Sequence, residues 1–152
     1  MPRPDLAALG VQYRRIPVLA IGRDIYCDSR LILEKLEELY PDGALGAGPN
    51  ENDAKALEKL LDIWMTDGGV FARAAELIPP DTPMTSDSKF IADRQDFTGR
   101  SWAKENMMRK RKEALAHIKL AFNLLETTLL ADGRKWILGD TEEPTLADIK
   151  GM

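Results

Sequence analysis

The first quarter of the chain carries short apolar runs, and long periodic ones follow. Ile16-Pro17-Val18-Leu19-Ala20-Ile21 is rich in branched residues and closed by Gly22, which reads as a strand. Pro17 has no N–H to give to a ladder, so it belongs at the strand's start. Arg23-Asp24 reads as a tight turn and Ile25-Tyr26-Cys27 as a second strand. So short a connection makes the pair an antiparallel hairpin. Asp28 and Ser29 are both good N-cap residue types. Ile32, Leu33, Leu36, Leu39 and Tyr40 then recur at the three-and-four spacing of one apolar helix face. Pro41-Asp42-Gly43 ends that helix.

Pro41, Gly43, Gly46, Gly48 and Pro49 mark a linker, and everything beyond it reads helical. Asn52 or Asp53 can cap a helix with Leu57, Leu60, Leu61 and Trp64 on one face, and Gly68-Gly69 should kink or break it. Val70, Phe71, Ala74, Leu77 and Ile78 continue the pattern to Pro79-Pro80. Residues 79–101 are polar and weakly periodic, with one short helix expected near Phe90. Leu115, Ile118, Phe122, Leu125 and Leu129 form a stripe on a long helix over residues 103–131, stopped by Asp132-Gly133. Trp136-Ile137-Leu138-Gly139 reads as an apolar loop. Thr145-Leu146-Ala147-Asp148 follows it with capping-box spacing, Asp standing for the usual Glu. Only Ile149-Lys150-Gly151-Met152 comes after, too short to hold a helix by itself. A lone hairpin is equally marginal without a third strand. Both ends therefore read as cut through a larger fold.

Composition narrows the chemistry. With 152 residues, 44% hydrophobic and 30% charged, the chain is globular in type. A net charge of −4 argues against nucleic-acid or anionic-membrane partners. No apolar run is long enough to span a bilayer, and Met1-Pro2-Arg3-Pro4-Asp5 has no signal-peptide core. The single cysteine, Cys27, excludes an internal disulfide framework and favours a reducing compartment, hence a cytoplasmic location. The single histidine, His117, argues against a zinc site or a His-based dyad, so no metal is expected. Cys27 at a strand end reads as a small buried residue, and His117 as structural or solvated. Arg109-Lys110-Arg111-Lys112, flanked by Glu105 and Glu113, reads as a solvated helix end rather than a nucleic-acid surface. Trp64, Trp102 and Trp136 read as core or loop anchors.

One ordered string goes further. Arg14-Arg15-Ile16-Pro17-Val18-Leu19, a hairpin, then Asp28-Ser29-Arg30-Leu31-Ile32 resembles the second half of the thioredoxin-like domain of glutathione S-transferases. Pro4-Asp5-Leu6-Ala7-Ala8-Leu9 matches the short helix and loop before that family's cis-proline strand. Thr145-Leu146-Ala147-Asp148-Ile149 resembles the capping box of its central C-domain helix. The wording of Tyr13-Arg14-Arg15-Ile16-Pro17 and Asp67-Gly68-Gly69-Val70-Phe71-Ala72-Arg73 looks most like fungal members of uncertain substrate. The resemblance implies an α+β chain in three stretches. A partial thioredoxin-like glutathione-binding domain, β-hairpin plus helix, covers residues 1–42. A linker covers 43–51. An incomplete all-α domain of the glutathione S-transferase C-terminal type covers 52–152.

It also implies a site, with glutathione as co-substrate. In the family, the residue before the cis-proline pairs its main chain with the cysteinyl part of glutathione; here that residue is Ile16, with Pro17 supplying the cis bond. A trans strand-start proline is the competing reading. Ser29, at a helix start, would take the γ-glutamyl carboxylate, with Asp28 helping at that end. Helix capping alone also explains both residues. Arg14 would serve the glycyl carboxylate and Arg30 would add charge, against the reading of each as a surface arginine. The family's catalytic Tyr, Ser or Cys lies in a first strand–helix unit with no counterpart among these residues. Tyr13 and Tyr26 stand in another segment, and no catalytic residue is assigned. The implied activity is conjugation of glutathione to a hydrophobic electrophile, impaired here. A noncatalytic binding or oligomerisation module and a fragment without a stable fold are the alternatives. Family members often dimerise, so a homodimer is a further expectation.

Overall fold

The structure is a computed structural model and describes residues 3–139 and 142–151. Met1, Pro2 and Met152, at the tips of stretches read above, lie outside the described residues. The chain divides into two compact units, one ending at Leu45 and the other beginning at Gly46.

The first unit holds α1 (Pro4–Ala8), β1 (Val18–Ile21), β2 (Asp24–Cys27) and α2 (Ser29–Leu39). The strands pair antiparallel from Val18↔Cys27 to Ile21↔Asp24. The turn is therefore Gly22-Arg23, one residue earlier than the sequence pattern suggests. Gly22 has φ 60, the conformation that a two-residue hairpin loop with glycine at its first position requires, and Asp24 stays in the ladder. Pro17 stands just before β1, and the Ile16–Pro17 peptide is cis. Helix α2 packs on both strands and buries Ile32. The far end of its apolar stripe is not covered, for Leu39 and Tyr40 are exposed. A 3-10 turn at Pro41–Gly43 follows, and the Leu45 N–H donates to Glu37 Oε1 at 2.9 Å.

The second unit is helical: α3 (Asn52–Thr66), α4 (Val70–Ala75), α5 (Pro83–Ser86), α6 (Ser88–Thr98), α7 (Lys104–Leu124) and α8 (Leu146–Gly151). Neither Asn52 nor Asp53 caps α3. The N-cap is Glu51, whose carboxylate turns back to accept the Gly48 N–H at 2.7 Å. Buried Glu58 accepts the Ala47 N–H at 2.8 Å, so the glycine-rich stretch is tied to α3 from Ala47 onward. Gly68-Gly69 breaks the helix outright. A Cβ on Gly68 would lie 2.4 Å from the Trp64 carbonyl oxygen, and Gly69 has φ 85. Gly68→Ala is accordingly expected to lower stability by about 1–3 kcal/mol, since the obstacle is backbone, which cannot swing aside. Thermal melting checks this, and an unchanged midpoint would contradict it.

Residues 79–101 hold two helices where one was expected. Thr82 and Thr85 make reciprocal capping bonds over α5, and the Asp87 carboxylate caps α6 by accepting the Lys89 N–H. Polar caps, rather than an apolar period, set these helices, which is why the hydrophobic pattern was weak there. Trp102 anchors the segment, edge-on to Phe90 and donating to Thr98 Oγ1 at 3.1 Å.

The long C-terminal helix is α7 plus a π-helical turn at Leu125–Leu129. Its buried residues are Ala114 and Ala121; of the expected stripe, Ile118, Leu125 and Leu129 are half-buried, while Leu115 is 44% exposed and Phe122 61%. Helix α7 packs against α4. The basic run on α7 divides: Arg109 and Lys112 are exposed as expected of a solvated helix end, whereas Lys110 and Arg111 are half-buried. Lys110 lies 3.8 Å from Glu76, and the Arg111 guanidinium donates to the Leu77 carbonyl, so both cations close on the C-terminal end of α4. Carbonyls there lack helical donors and attract positive charge. Arg73 and Arg100 reach the same Glu76, at 3.0 and 4.0 Å.

The core of this unit gathers Leu61, Ile137 and Ala147, with Leu57, Trp64, Leu129, Leu130 and Leu138 packed around them. Short α8 is held by tertiary contact, lying against α3 with Leu146, Ala147, Asp148 and Gly151 buried. Before it, Arg134 binds Asp132 and holds its carboxyl down to about 2. This depressed acid favours the fold above its ordinary value, and the benefit fades as pH falls toward 2.

Candidate functional site

The antiparallel register decides which residues meet. Val18↔Cys27 is the last pair at the open end of the hairpin. The chain entering β1, Ile16-Pro17, and the chain leaving β2, Asp28-Ser29, therefore adjoin the same end of the ladder. Ile16 is 66% exposed and Pro17 is exposed as well. A backbone edge and a helix mouth thus share one open end of the first unit.

Asp28 makes that mouth. Its side chain accepts the Arg30 N–H at 3.0 Å, and its own carbonyl accepts the first helical bond, from the Ile32 N–H at 3.0 Å. Among the described residues it alone, apart from glycines, has positive φ, at 80. Such a conformation costs about 1–3 kcal/mol in a residue with a Cβ and persists where surrounding contacts hold it. Two contacts do so here: the cap bond and the Tyr13 hydroxyl, 3.4 Å from Asp28 Oδ2. A carboxylate offers about four lone-pair positions, so these two donors leave acceptor capacity facing solvent. Ser29 is the first residue of α2 and is exposed. The first amides of a helix lack helical acceptors, and its dipole is positive there. One side of the mouth therefore suits a carboxylate and the other an ammonium.

The remaining expected site residues sit nearby in sequence. Arg14 is half-buried one position after Tyr13, and Arg30 is half-buried on the first turn of α2; both already have partners of their own. Cys27 ends β2 as a half-buried free thiol, more open than the buried small residue expected from its strand position. His117 is half-buried on α7, in the other unit. Sequence reasoning passed over Tyr13. Its link to Asp28 spans 15 positions and joins a loop to a cap, for which no local pattern exists. Among the described residues there is no cluster of three or more His, Cys, Asp or Glu able to hold a metal ion, and no helix long and apolar enough to cross a membrane.

Comparison with known families adds two matches. Residues 1–49 match the family model described as "Glutathione S-transferase, N-terminal domain". Residues 73–152, more than half of the chain, match the model described as "Domain of unknown function (DUF7962)". No curated protein and no solved structure matches the chain.

Proposed function

From a chain that belongs to the glutathione S-transferase-like superfamily and, through residues 73–152, to the family described as "Domain of unknown function (DUF7962)", we propose a protein that binds glutathione at the open end of its hairpin. One observation supports the reading: the register whose last pair, Val18↔Cys27, has the exposed Ile16 two residues before it on one strand and the capped N-terminus of α2 directly after it on the other. Glutathione is an extended peptide with an ammonium and two carboxylates. The Ile16 main chain pairs with its cysteinyl amide unit. Ser29 and the amides of the α2 mouth take the γ-glutamyl carboxylate, and the Asp28 carboxylate takes the ammonium beside it. Arg14 serves the glycyl carboxylate, and Arg30 adds positive charge at the mouth.

Conjugation is the finer question. A glutathione thiol has to be brought down from the ordinary thiol range of ~8.5 by a nearby donor or positive charge before it attacks an electrophile. Within these 152 residues, the element ahead of β1 among the described residues is α1, and no hydroxyl or thiol in it stands ready for that task. We therefore read conjugation as impaired in this polypeptide. The 152-residue protein is expected to bind glutathione with millimolar affinity by calorimetry and to give no turnover with glutathione and a chloronitrobenzene. Saturable turnover would overturn the impairment, and sub-micromolar binding would contradict so open a cradle.

A further inference from the structure

We propose that Tyr13 is a positioning residue, one that fixes the plane of the Asp28 carboxylate so that it receives the ammonium of a γ-glutamyl ligand. This rests on the reading of the site given above and adds a residue to it. Asp28 is exposed, so packing does not set the orientation of its carboxylate. The Arg30 N–H holds Oδ1 at 3.0 Å, and with that bond alone the group is free to pivot about Oδ1. The Tyr13 hydroxyl, on the loop ahead of β1, stands 3.4 Å from the other oxygen, Oδ2. Two anchors on two oxygens fix a plane where one anchor fixes a point. Tyr13 is suited to this. Its ring is half-buried, and with only two side-chain torsions its hydroxyl costs little entropy to hold. At 3.4 Å the bond is long for O–H to O, and bonds of this kind in unliganded sites often tighten when ligand arrives.

A simple brace between the loop ahead of β1 and α2 would use the same contact, so the test has to separate bracing from positioning. The ligands are glutathione and its deamino analogue, in which hydrogen replaces the ammonium. The proteins are the wild type, Tyr13→Phe, Asp28→Asn and the double variant, all full length. Tyr13→Phe keeps the ring and its packing, and Asp28→Asn keeps a residue type that tolerates positive φ. Tyr13→Phe is expected to weaken glutathione binding about three- to fivefold and leave the deamino analogue within about twofold. In the Asp28→Asn background the same change is expected to have no further effect on glutathione. Equal weakening of both ligands, an additive effect in the double variant, or no change at all would each overturn the proposal. Wild-type protein that binds neither ligand sinks the site reading and the positioning role together, whereas binding with an indifferent Tyr13→Phe sinks the positioning role alone.

Discussion

Leu61→Ala is expected to remove about 3–4 kcal/mol from the unfolding free energy of the helical unit. Leu61 is 5% exposed and shares the core cluster with Ile137 and Ala147. Both its terminal methyls lie near Gly151, where an added Cβ would sit 3.7 Å from each. Truncation leaves a hole between α3 and α8, and the groups around it have little room to collapse. Ala147 has no atoms to move inward, and Ile137 is held through its backbone by Asp148. A cavity that cannot close costs more than the transfer of the missing methyls. The urea midpoint should fall with an unchanged slope. Leu60→Ala is the matched control. Leu60 neighbours Leu61 on α3 but is 62% exposed, so its loss should stay within about 0.5 kcal/mol. Similar costs for the two would contradict the assignment of the core.

Asp148→Ala is expected to cost about 2–4 kcal/mol through hydrogen bonding rather than volume. The carboxylate is buried and serves three donors. Oδ1 accepts the Ile137 N–H at 2.7 Å, and Oδ2 accepts the Thr145 N–H at 2.8 Å and the Thr145 hydroxyl at 2.7 Å. Removing it orphans two amides, one on a buried residue, and each such donor costs about 1–3 kcal/mol. It also frees the 136–139 turn from α8, so the two halves of the core cluster lose their link. Asp148→Asn should recover little, because its NH2 must point at an amide that is itself a donor. Thr145→Val, which keeps the backbone bond and loses only the hydroxyl, should cost about 1 kcal/mol. Thermal melts of the three variants give the order; an Asp148→Asn protein as stable as wild type would contradict this account.

What the sequence made legible divides by range. The hairpin, the Asp28 cap and the half of the Thr145–Asp148 box in which Asp148 accepts the Thr145 N–H are made by neighbours, so residue type and spacing suffice to place them. The turn slipped by one because composition does not say which of Gly22, Arg23 and Asp24 takes positive φ; the ladder does. The α7 stripe misled for a different reason. Leu115, Phe122 and the alanines beside them satisfy the same helical period, and the period gives a face without its partner. The packed structure buries Ala114 and Ala121. Two cations of the basic run, Lys110 and Arg111, looked solvated because their partners, Glu76 and the Leu77 carbonyl, lie 34 positions away in the Leu77 case and follow another helix. Helix α8 is the reverse case: too short by itself, it exists because α3 and Asp148 supply what its length lacks. At the candidate site, Ile16, Pro17, Asp28 and Ser29 could be read from the chain in order. Tyr13 could not, since its role depends on the hairpin folding back.

The central claim is that a peptide ligand lies along Ile16 and ends at the mouth of α2. Titration of isotope-labelled protein with glutathione, followed amide by amide in nuclear magnetic resonance spectra, tests it most directly. Saturable shifts of millimolar midpoint are expected at the amides of Ile16, Val18, Ser29, Arg30 and Leu31, with the helices beyond Gly46 unmoved. Spectra unchanged at roughly 20 mM glutathione, weaker than any affinity a built site would show, or shifts concentrated beyond Gly46, would contradict it.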